Sequence, residues 1–418
     1  MVATSLTEMA GGNRIEDFSL IHNIILGVGS VDKLGEVAKG ITKNRNAVIV
    51  TDETLVKIGI VDRPKKSLQD AGFSVDVYQS PKTEPVIGEV KKTIDFVRTK
   101  DYGVVIGIGG GSAMDRAKAA AIMAVTPGNL EEYLFPSEKP VVGALPKIML
   151  PTTSGAGSEC SAGLVVTVPN EEQGKAKTFI RGEYCFADMA LVDPSLLLTC
   201  PPRVTAGSGM DALAHNAEAV MCLHANPFSD ALALKAVELV SRNLKTAVKD
   251  GGNLEARENM SWAASIGGMV CTFPWVNGPA TPAHVVSEAI SARYGFPHGE
   301  SCGILLPFTF WFNLPSRYAQ AKLAKIAAAL GQDITGLSAR ASAERAITAA
   351  FDLLEDVGLP ANLKEYGILE NEIPSIVDFV LGRAESYGMV NCNPVKADSK
   401  NLKDLLEKAW EGRESVRL

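Results

Sequence analysis

The stretch that most limits how this chain can fold is GVVIGIGGGSAMDRAKAAA, residues 103–121. It opens on a nearly all-apolar run, GVVIGI (103–108), which suits a strand covered on both faces, as in a parallel sheet. Three glycines, Ser112 and a helix-forming run follow. Glycine lets the backbone approach a ligand closely, and the helix N-terminus behind it favours anions. A phosphate-bearing ligand therefore fits. The pattern is neither G-x-G-x-x-G nor a triphosphate loop ending in Lys-Ser/Thr, and a glycine-rich turn after a strand is also common as plain structure.

The same alternation runs through the first half. AVIV (47–50) ends at Thr51-Asp52, FSVDVY (73–78) follows a helical stretch, and KIML (147–150) is another apolar strand. Beyond Pro85, the residues Ile87, Val90, Ile94 and Val97 form a helical stripe with the proline at its first turn. Strands alternating with helices predict an α/β domain with a parallel sheet. A second polar loop, PTTSGAGSE (151–159), follows a second strand. Two such loops at the carboxyl ends of parallel strands flank one crevice, which favours a dinucleotide over a simple turn. Asp52 could accept from ribose hydroxyls and would repel a 2′-phosphate, which argues for NAD over NADP. It could equally cap the next helix.

Past LVDPSLL (191–197) the character changes, and runs such as AKLAKIAAAL (321–330) and AERAITAAFDLLEDVG (343–358) are Ala/Leu-rich and helical. Ile347, Phe351 and Leu354 share one helix face. The expected organisation is an α/β dinucleotide-binding domain over residues 1–195 and an all-helical domain over residues 196–418.

Within the second half, GMDALAH (209–215) sets an acid and a histidine four residues apart in an otherwise apolar helix. Asp211 and His215 then share one face, toward the interior. Burying a carboxylate costs several kcal/mol unless charge or hydrogen bonds offset it, so the pair is either an ion pair or half of a metal site. Glu218, further along that face, either orients a ligand from behind or is a surface carboxylate. The chain has five histidines: His22, His215, His224, His284 and His298. Two of them fall in PAHVVSEAISARYGFPHGE (282–300), His284 on a helix and His298 in the loop after it. Three imidazoles and a carboxylate make a workable set for Zn²⁺ or Fe²⁺ with an open position. Separate buried histidines, each hydrogen-bonded, are the plainer reading.

Bulk properties exclude other classes. With 418 residues, a net charge of −7 and no basic run, a nucleic-acid partner is not expected. No apolar stretch is long enough to span a membrane, and MVATSLTEMAGGNRIEDF lacks the features of a signal peptide. Seven cysteines without a C-x-x-C read as reduced thiols of a cytoplasmic protein.

From about Ile24 to about Trp410 the chain resembles the iron-containing (group III) alcohol dehydrogenase family. The resemblance is carried by GGGSAMDRAKA, PTTSGAGSE, LVDP, GMDALAH, HVVSEAISARYGFPHG and NPVKADSKNLKDLLEKAW. It implies a metal, Fe²⁺ or Zn²⁺, in the cleft between the two domains, held by Asp211, His215, His284 and His298. It implies pyrophosphate contacts at Gly109, Gly110, Gly111 and Ser112 and counts Asp115 among the cofactor-binding residues. Thr152 and Thr153 become cofactor contacts, Lys177 lies near the ribose, and Asp52 matches the family's ribose-binding acid. The implied activity is NAD(H)-linked hydride transfer to or from a short alcohol or aldehyde whose oxygen the metal polarises. A cytoplasmic homodimer or larger homo-oligomer is implied as well.

One position departs from the family pattern. Many members carry a second histidine four residues after the one matched by His284, and here that residue is Glu288. It either accepts a proton in the histidine's place or shapes the substrate pocket. The proline-rich TFPWVNGPATPAH (272–284) also differs from the usual small-residue run. Two other functions share these features: a lyase of the dehydroquinate-synthase type, and a non-catalytic NAD- or metal-binding protein. The lyase should gather several Lys and Arg around a phosphorylated acid, and only Arg293 is near the histidine segments.

Overall fold

The structure is a computed structural model that describes residues 19–81, 84–171, 174–271, 281–384 and 392–418. The unusual run before His284 falls at residues 272–280 outside the described residues. In chain order the first half contains β1 (Ile24–Leu26), α1 (Leu34–Ile41), β2 (Asn46–Asp52), α2 (Glu53–Lys57), α3 (Asp62–Asp70) and β3 (Ser74–Ser80). It continues through α4 (Ile87–Arg98), β4 (Val104–Gly109), α5 (Gly111–Val125), β5 (Lys147–Pro151), β6 (Gly163–Asn170), β7 (Gly174–Arg181) and β8 (Met189–Val192). After the turn at Pro194–Leu197 the longer elements are all helices. They are α6 (Pro202–Met221), α7 (Pro227–Lys249), α8 (Leu254–Val270), α9 (Pro282–Tyr294) and α10 (His298–Asn313). Next come α11 (Arg317–Ala329), α12 (Ala339–Asp356), α13 (Ile373–Ala384) and α14 (Ser399–Glu411). The element type thus changes after residue 197.

Six strands form one sheet in the order β1-β8-β5-β4-β2-β3, every pair parallel. Residues of β4 divide between its two faces, as the all-apolar run requires. Val105 packs with Val48, Val90, Ile94, Val97 and Met114 on one side, and Val104, Ile106 and Ile108 pack with Val31, Leu34 and Leu68 on the other. β3 lies on one side of β2 and β4 on the other, so the winding reverses between β2 and β4. The carboxyl ends of β2, β4 and β5 therefore open on one crevice, at a place where such sheets bind ligands.

Two details differ from the sequence reading. Pro85 is not in the first turn of α4; that helix begins at Ile87 with Val86 as its N-cap. The Pro85 carbonyl instead accepts from the Thr167 amide at 2.9 Å, which holds this segment extended against β6. The antiparallel hairpin of β6 and β7 has no counterpart in the sequence reading. The helical half has its own core, in which Phe308 of α10 meets Phe351 of α12 edge to face at 5.1 Å.

The hairpin is fastened to the glycine-loop helix by Lys118 of α5, which is fully buried. Its ammonium donates to the carbonyls of Ser161 (3.0 Å) and Gly163 (2.9 Å) and to the Ser161 hydroxyl (3.1 Å). Burial pushes this ammonium below its ordinary range, and the Asp115 charge pulls it back. Lys118→Met should leave buried carbonyls unpaired and cost about 1–3 kcal/mol. Thermal unfolding followed by circular dichroism should show a lower midpoint, and an unchanged midpoint would refute the role.

Candidate active site

GMDALAH forms part of α6, and both of its polar residues are buried, with Asp211 4 % and His215 8 % exposed. His215 Nδ1 lies 3.0 Å from the Asp211 carbonyl oxygen. A carbonyl can only accept, so Nδ1 carries the proton and Nε2 keeps its lone pair. One turn further on, Glu218 is fully buried rather than at the surface. Its carboxylate accepts from His284 Nδ1, from the Thr281 hydroxyl and from the His284 amide. The expectation that Glu218 orients a histidine holds, and the histidine is His284 of α9. With Nδ1 taken up, His284 Nε2 faces Asp211 Oδ1 at 3.5 Å, and the His215 and His284 rings lie 4.4 Å apart.

His298 opens α10 rather than lying in the loop before it. Its Nδ1 is 2.8 Å from Ser287 Oγ, and its ring is 5.4 Å from that of His284. Gly299 is what allows this approach. A Cβ at Gly299 would meet the Gly207 carbonyl oxygen at 2.5 Å and the Asp211 Cβ at 3.0 Å, so the first turn of α10 rests directly on α6. Glu300 anchors that turn. It is buried, takes two bonds of 2.9 Å from Arg203, and accepts from the Tyr366 hydroxyl at 2.5 Å.

The donor set fits a cation. Asp211 Oδ1 and His284 Nε2 are buried with no hydrogen-bond partner among the described residues, a costly state unless a ligand resolves it. Donor atoms of Asp211, His284, His298 and Cys302 all lie within 4.8 Å of one another. His215 stands beside this group, and Cys302 is a member that sequence reasoning missed. The electrostatics agree for two of the three imidazoles. Burial pushes His215 down to about 4 against the pull of Asp211. Burial, then the Lys177 charge, holds His298 well below its ordinary value. Both imidazoles are thus neutral near pH 7, as ligands must be. Burial would raise the Asp211 carboxyl, but His215, His284 and His298 outweigh it and keep it ionised. His284 is the exception. Burial lowers it, yet Cys302, Glu218 and Asp211 together raise it well above its ordinary value. Burial also pushes the Cys302 thiol up to about 11.

At the other end of the cleft, Gly109 ends β4 with φ +148° and α5 starts at Gly111. The Thr152 amide donates to the Gly109 carbonyl at 2.9 Å, joining the two polar loops. A Cβ at Gly110 would come within 3.3 Å of Thr153 Oγ1, and one at Gly111 within 2.7 Å of Ala156 Cβ. The glycines therefore serve loop packing as well as access. Ser112 sits in the first turn of α5, where amides point outward. Asp52 does cap a helix: its Oδ1 accepts from the Leu55 amide at 3.0 Å, while a Cβ at Gly109 would lie 3.9 Å from Oδ2. Both readings of Asp52 are therefore compatible. Asp115 works from behind the loop, accepting from the Ser158 hydroxyl (2.6 Å) and the Val165 amide (3.0 Å). The charge of Lys177, on β7, bears on both Asp115 and His298. Half-buried Glu288 lies one turn after His284, and its charge bears on Arg181 at the end of β7.

The chain matches known proteins over most of its length. The family model for iron-containing alcohol dehydrogenase matches residues 22–194, and that for the C-terminal part of the Fe-containing alcohol dehydrogenase family matches residues 205–410. Long-chain-alcohol dehydrogenase 1 of Geobacillus thermodenitrificans is 35% identical over 353 residues, 84% of this chain and 86% of that one. A crystal structure of 1,3-propanediol oxidoreductase matches with a TM-score of 0.88 at 30% identity, over 95% of this chain and 100% of the other. The sulfoacetaldehyde reductase of Bifidobacterium kashiwanohense, solved in complex with NAD+, matches with a TM-score of 0.81 at 28% identity, over 94% and 98%.

The buried Glu218 generates a direct prediction. Glu218→Gln keeps the shape but weakens the bond that fixes the His284 ring. Metal affinity, read by competition with a chromogenic chelator, should fall about 10–100-fold. An unchanged affinity would remove Glu218 from the site.

Proposed function

The chain belongs to the iron-containing alcohol dehydrogenase family, and from that premise we propose how its cleft works and on what. It is a metal-dependent oxidoreductase that uses NAD(H) to interconvert alcohols and aldehydes. We propose Asp211, His215, His284 and His298 as the metal ligands. Gly109, Gly110, Gly111, Ser112, Thr152, Thr153, Asp52 and Lys177 would border the cofactor, with Asp115 holding the loop behind them. The observation that carries this reading is the pair of buried, partnerless atoms Asp211 Oδ1 and His284 Nε2, facing one another at 3.5 Å.

When bound, Fe²⁺ or Zn²⁺ supplies a Lewis acid for the substrate oxygen. The nicotinamide supplies the redox chemistry. Everything else falls to the chain. Glu218 keeps His284 in the tautomer whose Nε2 is available, and Ser287 fixes the His298 ring. The Arg203–Glu300–Tyr366 network holds the turn that presents His298. Glu288, half-buried one turn after His284, shapes the pocket. The substrate in this reading is a short alcohol or aldehyde.

The lyase alternative finds no support. Arg293, the cation that the sequence sets beside the histidine segments, is engaged by Ser375 (2.9 Å) and Glu372 (3.2 Å) in helical packing. The relatives described above are alcohol dehydrogenases and an aldehyde reductase. No helix among the described residues is long and apolar enough to cross a membrane. A cytoplasmic homodimer or larger homo-oligomer completes the proposal, with sedimentation as its check.

Three experiments test this reading. Protein stripped of metal and reloaded with Fe²⁺ or Zn²⁺ should oxidise NADH with some members of a panel of plain, hydroxylated and anionic short aldehydes. Turnover that does not depend on the metal would overturn it. In the second, Asp52→Gly should narrow the gap in kcat/KM between NADH and NADPH, and a wild type already preferring NADPH would sink the role of Asp52. The third compares pH–rate profiles of Glu288→Gln and wild type in alcohol oxidation. A pocket role keeps most of kcat and reorders the substrates, whereas loss of the acidic limb together with most of kcat would make Glu288 the proton acceptor.

A further inference from the structure

Cys302 stands four residues after His298 on α10, as His215 stands four after Asp211 on α6. Its side chain is fully buried, and its sulfur lies 3.6 Å from His298 Nε2. Across the same space, Asp211 Oδ1 and His284 Nε2 stand 3.5 Å apart, both buried and both without a hydrogen-bond partner among the described residues. All four donors fit within 4.8 Å. For N, O and S donors bound at about 2.0–2.3 Å, a tetrahedral ion sets neighbouring donors about 3.3–3.8 Å apart. The Asp211–His284 distance of 3.5 Å and the Cys302–His298 distance of 3.6 Å both fall in that window. The sulfur is thus spaced as a ligand would be, and the partnerless oxygen and nitrogen opposite it mark where an ion would lie.

We propose that Cys302 Sγ is itself a ligand of the cation held by Asp211, His284 and His298. This rests on the reading of the cleft as a metal site and changes its chemistry. Cys302 joins His215 and the three residues above as a donor, and as the softer ligand its thiolate favours Zn²⁺ and Co²⁺. On coordination the thiol proton passes to water and the sulfur binds as thiolate. Substituting Cys302 should then lower affinity for Zn²⁺ more than for the harder Mn²⁺.

Cobalt substitution tests this without relying on turnover. Full-length protein is stripped and reloaded with Co²⁺ alone, as wild type and as Cys302→Ser. Wild type should show visible d–d bands and a near-ultraviolet sulfur-to-cobalt charge-transfer band. Cys302→Ser should keep the d–d bands and lose the charge-transfer band, with its Zn²⁺ affinity falling more than about tenfold, the loss that even an outer contact commands. Should the serine variant fail to fold, X-ray absorption of Zn²⁺-loaded wild type gives the same answer, with one sulfur expected at about 2.3 Å. The d–d bands without charge transfer in wild type, a charge-transfer band surviving in the variant, or a zinc shell of only N and O would each overturn the thiolate and leave the metal site standing. Failure of wild type to bind cobalt in the cleft would overturn both.

Discussion

The helical half is organised around a carboxylate placed where water cannot reach it. Asp211 is buried among three imidazoles, and one of its oxygens has no protein partner among the described residues. An ionised carboxylate in such a place is tolerable only if positive charge is brought to it. The surroundings are arranged for that purpose. α6 supplies His215, α9 supplies His284 and α10 supplies His298, side chains that would hold a cation against it, so three helices must keep their spacing for the carboxylate to be compensated. Closeness of α6 and α10 depends on Gly299, where any side chain would push the histidine away from the acid. Glu218 adds a second buried carboxylate and divides its bonds between His284 and Thr281 at the start of α9. Helix packing and ligand geometry are therefore one constraint.

The metal end must also keep its place relative to the sheet. The loop after β5 provides this link. Glu159 in that loop is buried and accepts from the Ser265 hydroxyl of α8 at 2.8 Å. Next to it, Ser158 bonds to Asp115 of the glycine-loop helix. One short segment thus touches the cofactor crevice and the helical core at once. Burial raises the carboxyls of Asp115 and Glu159 and lowers the ammonium of Lys118, and these three groups offset one another across the junction. A hydride-transferring site tolerates little error in the distance between its cofactor and its substrate. A buried polar junction of this kind fixes that distance more tightly than apolar packing alone.

Much of this was legible in the sequence because it rests on local rules. The all-apolar run before the glycines could only be a strand covered on both sides, and β4 is one. The four-residue spacing of Asp211 and His215 needed only helical periodicity. His284 and His298 stand out among only five histidines, but their assignment to one ligand set rests on the family resemblance, since their separation along the chain carries no geometric signal. What escaped notice had two causes. The hairpin of β6 and β7 and the contact of Pro85 with Thr167 are long-range pairings that no local pattern announces. Cys302, by contrast, could have been found. It repeats the spacing of GMDALAH one helix pair away, but cysteine in an apolar helix reads as a small hydrophobe unless a ligand already stands one turn before it.

The position of Glu300 shows why a charged residue can be structural within a catalytic segment. It falls in the first turn of α10, where a carboxylate interacts favourably with the helix N-terminus. Arg203 grips it with both nitrogens, although the arginine itself is largely exposed. A surface ion pair of this sort contributes little by itself. Here one partner is buried and also bonded to Tyr366, so its orientation is fixed from two directions. Tyr366 precedes α13, the helix whose Arg383 donates to the Lys177 carbonyl of β7 at 3.2 Å. Glu300 and Tyr366 thus fix the first turn of α10 against the segment before α13, while α13 is itself bonded to β7 through Arg383.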